Sequence, residues 1–109
     1  MSFLLSLALI GSGLYGMVSR GPTAPVCHVG KPCSAPASGS HLVFHRHGVV
    51  IARVRVARNG RYSVALRPGI YRVTVKPAQK IGSGISPRRV RVKIGPAREL
   101  DFQIDTGIR

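Results

Sequence analysis

From Val49 to Val75 the chain runs in two-residue alternation, interrupted by turn chemistry at Asn59-Gly60 and again at Pro68-Gly69. A period of two is that of a strand with one face buried. Asn-Gly accepts the positive φ angles of a tight hairpin, and Pro-Gly cannot continue a central strand. The stretch therefore reads as three consecutive antiparallel strands, a meander around which other strands are laid. Its inward set is Val50, Ala52, Val54 and Val56, then Tyr62, Val64 and Leu66, then Tyr71, Val73 and Val75. Arg53, Arg55, Arg61, Arg67, Arg72 and Lys76 take the opposite parity and point outward.

The flanking segments read the same way. Leu14 to Ser19 is a first strand with Leu14, Gly16 and Val18 on one face, ended by Gly21-Pro22. Pro22 to Gly39 holds Pro22, Pro25, Pro32 and Pro36 and both cysteines, which excludes a helix or a central strand. His41 to His47 is a second strand with Leu42 and Phe44 inward. Pro77 to Pro87 is a loop with Lys80 at its middle and Ile81 and Ile85 as anchors. Arg88 to Ile94 and Arg98 to Asp105 are the last strands, joined across Gly95-Pro96-Ala97 as a hairpin. Val90, Val92 and Ile94 face inward from one, and Leu100, Phe102 and Ile104 from the other. That pairing sets Lys93 opposite Glu99 and Arg91 opposite Asp101. At 109 residues there is room for one core, so the expected fold is all-β, a single seven-stranded antiparallel sandwich.

Seventeen Lys and Arg against three acids give a net charge of +14, and non-specific attraction to polyanions is expected; the competing reading is that the arginines only solvate the outer faces of strands. Thirteen of the seventeen are Arg, whose planar fork suits bidentate contact with phosphate or carboxylate. Charge alone does not choose among nucleic acid, an anionic membrane and an acidic cell-surface polymer. Arg53, Arg55, Arg72, Arg89 and Arg91 are the candidate anion-binding residues.

Ser2 and the apolar run Phe3 to Ile10 span roughly 12 Å as a helix, short of a ~30 Å hydrocarbon core. Residues 1–13 read as the remnant of a signal peptide, with Gly11-Ser12-Gly13 where cleavage falls; the competing reading is a hydrophobic N-terminal arm. In an exported chain Cys27 and Cys33 pair as a disulfide that closes the Pro-rich loop after the first strand. A metal site with His28 as third ligand competes, but its spacing is not that of a zinc knuckle. His41, His45 and His47 share one strand face, a weak metal candidate beside the simpler reading of a solvated face.

Chemistry at the carboxylates is not expected, since Glu99, Asp101 and Asp105 lie along one outward strand beside Arg and Lys. No Gly-x-Ser-x-Gly elbow occurs, and Gly82-Ser83-Gly84 leads into Pro87 and a strand rather than a phosphate-binding helix. The expectation is a non-enzymatic chain without a cofactor.

The run Asn59 to Val75, with its Gly-Arg-Tyr turn exit and Pro68-Gly69-Ile70-Tyr71, resembles carboxypeptidase regulatory-like domains, and Gly16-Met17-Val18 is similar to their first-strand Gly-x-Val. The resemblance covers about Leu14 to Ile104. It implies a transthyretin-like (prealbumin-like) Greek-key sandwich over residues 14–109, a non-catalytic module of secreted bacterial or cell-envelope proteins. Val56-Ala57 replaces the family's Thr-Asp before the turn. The Lys-to-Asn isopeptide bond of related adhesin repeats is not available, because the first strand lacks Lys and Asp105 stands where Asn is needed. The functional expectation is an exported accessory or binding module whose basic face meets an anionic polymer or a partner protein. The alternative is a cytoplasmic β domain that binds nucleic acid non-specifically.

Overall fold

Val, Ile and Tyr at alternate positions, punctuated by Gly and Pro, build ten strands and no helix among the described residues of the computed structural model, which are 12–21, 34–76 and 84–105. The strands are β1 (Gly13–Gly21), β2 (Ala35–Pro36), β3 (His41–Arg46), β4 (Val49–Arg55), β5 (Arg61–Ala65), β6 (Gly69–Lys76), β7 (Gly84–Ser86), β8 (Arg89–Val92), β9 (Arg98–Glu99) and β10 (Phe102–Asp105). Among the described residues, no helix is long and apolar enough to cross a membrane. The N-terminal run to Gly11, the Cys27–Cys33 loop with His28, and Lys80 with Ile81 lie outside the described residues.

The strands form two sheets. One is antiparallel throughout, in the order β4-β3-β6-β8. The other is built on β1, with β5 and then β2 antiparallel along one side and β9 and then β10 parallel along the other; β7 closes it beyond β10. The sheets pack face to face through Phe44 of the first and Phe102 of the second, ring centroids 6.3 Å apart and edge-on, with Tyr62 tilted against Phe102 at 5.4 Å. Leu42, Phe44, Val56, Tyr71, Val73, Val18, Phe102 and Ile104 are all buried in this β-sandwich core.

Several expectations are corrected here. The Val49–Val75 stretch is not a meander in one sheet: β4 and β6 belong to the four-stranded sheet, while β5 crosses to pair with β1, Gly16 opposite Tyr62. Asn59-Gly60 does make a turn, with the Gly60 N–H donating to the Ala57 carbonyl at 2.8 Å and the Asn59 side chain accepting from the Arg61 N–H at 3.1 Å. The Gly60 carbonyl then accepts from the Val18 N–H at 2.7 Å, which hands the chain to β1. Alternation dictates which face is buried but not which of two facing sheets supplies the neighbour.

For the same reason the last strands are not a hairpin. β8 pairs with β6 and β9–β10 with β1, so Lys93 does not face Glu99 across a ladder, nor Arg91 face Asp101. Ile94, freed from that pairing, is 85% exposed rather than inward. The fully antiparallel, seven-stranded expectation gives way to ten strands, with the first strand parallel to β9 and β10.

Finally, Val50 faces outward. Phe44 pairs with Ala52 and His45 with Val50, so Ile51 is an extra residue in β4. Such a bulge reverses the parity on one side of it, which leaves Val50 and Ile51 each 49% exposed while Ala52 and Val54 keep their place over the core.

Candidate anion-binding face

The β4-β3-β6-β8 sheet has one face on the core, and its register sorts the other face into rows. Arg55, His41 and Lys76 stand side by side on β4, β3 and β6; Arg53, Val43 and Thr74 form the next row. Val50, His45, Arg72 and Arg89 form a third across all four strands, and Ile70 and Arg91 a fourth on β6 and β8. Neighbours in a row are about 5 Å apart and rows about 7 Å. All five candidate arginines therefore share one surface, and each is exposed.

Arg61 and Arg67, expected on this surface, are not part of it. Arg61 lies on β5 in the other sheet, and Arg67 follows that strand. Lys76 joins the cationic face at its far end. Arg46 went unnoticed in the sequence because it has the inward parity of Leu42 and Phe44. It is half-buried, with its guanidinium 5.8 Å from the centroid of the Tyr71 ring, a cation–π contact worth about 0.5–1 kcal/mol.

All three acidic side chains are elsewhere. Glu99 sits on β9 and Asp105 on β10, both in the β1 sheet, and the Asp101 carboxylate between them accepts the Met17 N–H at 2.9 Å. Arg72 and Arg89 stand directly opposite each other, a like-charge pair that is unfavourable without a counter-ion. No acid of its own sheet compensates the face.

Two adjoining depressions, of about 650 and 690 Å³, open at one end of this face and share Arg46, His47 and Ile70. Arg72, Arg89 and Thr74 line the first, and Arg91, Lys93 and Ile94 the second.

The histidines are dispersed relative to expectation. His41 and His45 lie on the outer face of β3, but His47 leaves the strand at φ 54° and with Gly48 forms the turn into β4. The His45 Nε2 atom is 3.0 Å from the Thr74 hydroxyl, a partner on the neighbouring strand. No three metal-ligating side chains converge among the described residues. No family model matches the chain, and no curated protein matches it.

Proposed function

We propose that this chain is a non-catalytic binding module of the exported or cell-envelope class, related to carboxypeptidase regulatory-like domains, whose outer sheet face holds an anionic polymer. One observation carries the reading: Arg53, Arg55, Arg72, Arg89 and Arg91 are exposed on one face of one sheet, and none of the three acids shares that sheet. Arg53 and Arg55 on β4, and Arg72, Arg89 and Arg91 on β6 and β8, form two cationic groups on one face, each with spacings of about 5 Å across strands or 7 Å along them, so that a linear polyanion laid over the face can meet both. The two packed sheets, the buried Gly16 and the buried Tyr71 after Pro68-Gly69 support the kinship.

The test is retention on an anionic matrix as salt is raised. The variant with Arg53, Arg55 and Arg72 all replaced by Glu elutes near the void; unchanged retention overturns the reading. Binding to DNA more tightly than to a non-nucleic polyanion of equal charge, at the same salt, transfers the proposal to the nucleic-acid alternative. Export is tested separately by intact mass of the native protein, which reports a trimmed N-terminus and the two-hydrogen loss of a Cys27–Cys33 bond.

A further inference from the structure

The basic face does not explain why its one end is greasy. Val49 is 59% exposed, Ile70 53% and Ile94 85%, alongside the half-exposed Val50 and Ile51. β3 ends, β4 and β6 begin and β8 ends at this same edge of the sheet, so these residues are gathered within the width of four strands, roughly 15 Å. Ile70 and Ile94 border one depression together with His47, and Ile70 borders the other. Cations are interleaved with them: Arg91 is level with Ile70, Arg72 and Arg89 are level with Val50, and Arg46 and Lys93 line the same depressions. A soluble polyanion offers nothing to solvent-exposed isoleucines. A leaflet rich in anionic lipid offers both partners side by side, phosphates for the cations and the acyl boundary for the isoleucines.

We propose that this end of the sandwich, the His47-Gly48 turn with Ile70 and Ile94, seats in the headgroup layer of an anionic bilayer. The inference stands on exposed apolar residues and not on the polymer reading, since Arg53 and Arg55 lie toward the other end of β4. Charge complementarity commits the occupant: every charged residue lining the two depressions is cationic, and among the described residues no carboxylate borders them. Each basic residue brought to such a leaflet strengthens partition by about fivefold, and burial of the two isoleucines by about tenfold together.

The chain contains no Trp, so a single one is an unambiguous reporter. Full-length Ile94→Trp and, as control, Gln103→Trp on the exposed outer side of β10 are titrated with two kinds of vesicle. These are phosphatidylcholine alone, and phosphatidylcholine mixed equally with phosphatidylglycerol. The expected result is a blue shift and quenching by a lipid-borne quencher for Ile94→Trp on the mixed vesicles only. No shift, equal shifts at both positions, or the same shift with soluble polyphosphate overturns the proposal. In parallel, Ile70→Ser with Ile94→Ser lowers partition onto mixed vesicles at least about tenfold. Unchanged partition also overturns it, and loss of matrix retention by Arg53→Glu with Arg55→Glu bears only on the polymer reading.

Discussion

The Tyr62 hydroxyl donates to the Leu100 carbonyl at 2.5 Å, reaching across β1 from the strand on one side of it to the chain on the other. Gly16 is the residue it crosses. A Cβ there collides with the Leu100 carbonyl oxygen and meets Asp101 Oδ1 at 2.7 Å, both well inside contact distance. Gly16→Ala is therefore expected to cost about 3 kcal/mol or more, from overpacking and from a φ that alanine resists. Tyr62→Phe, which removes one hydrogen bond and leaves the ring against Phe102, costs about 1–2 kcal/mol. Urea unfolding of the two variants ranks them, with glycine the more sensitive position.

The same phenol makes stability depend on alkaline pH. Burial, and second to it the Asp101 carboxylate, push the Tyr62 hydroxyl well above the ordinary value of about 10. Above pH 10 the unfolded chain gives up a proton that the folded chain keeps, so the folded form binds more protons and stability falls as pH rises. Below pH 10 the contribution is fully present. Tyr62→Phe removes this slope: the stability gap between wild type and variant, measured by denaturant unfolding, is constant up to about pH 10 and narrows above it. A gap that stays constant would locate the phenol in water.

These two residues also show what was legible in the sequence. Period-two alternation identified Leu14, Gly16 and Val18, Tyr62, Tyr71 and Phe102 as inward, and Arg53, Arg55, Arg72, Arg89 and Arg91 as outward, because burial depends on parity alone. Strand partnership depends on long-range choice. Tyr62 suits either sheet, and the parity of its strand does not say that β1 is its neighbour, where Gly13 lies against Val64 and Ala65 with no room for a Cβ. The bulge at Ile51 was illegible for a related reason: Val49-Val50-Ile51 is apolar at both parities, so no register is written into it. The basic face was visible residue by residue, whereas the gathering of Ile70 and Ile94 beside it required β6 and β8 to be neighbours.

The turn between β3 and β4 is a place where the chain is improvable. His47 holds φ 54° and Gly48 φ 77°, the pattern of a two-residue turn whose first position favours Asn. Histidine accepts that left-handed conformation less readily, at a cost of up to about 1 kcal/mol. His47→Asn is expected to stabilise the fold by about 0.5 kcal/mol and to raise the melting temperature by roughly 2–4 °C. His47→Val, β-branched at the same φ, should lower it. A scan in which both variants melt together would place the turn's geometry outside the energetics.

Position, rather than total charge, is the crux of the binding face, and it is separable. Replacing Arg53, Arg55 and Arg72 by Glu changes net charge by the same amount as replacing Arg20, Arg61 and Arg98, which belong to the β1 sheet. If polyanions are drawn by overall charge alone, the two triple variants lose affinity equally at every salt concentration. If the outer face makes the contacts, the first variant loses far more. Its log-affinity against log-salt line flattens by about one unit of slope for each phosphate contact removed, while the second shifts only at low salt, where screening is weak. Binding isotherms on a defined phosphodiester polymer, at several salt concentrations, read both slopes. Parallel lines for the two variants would leave the five arginines as solvated strand residues with no ligand of their own.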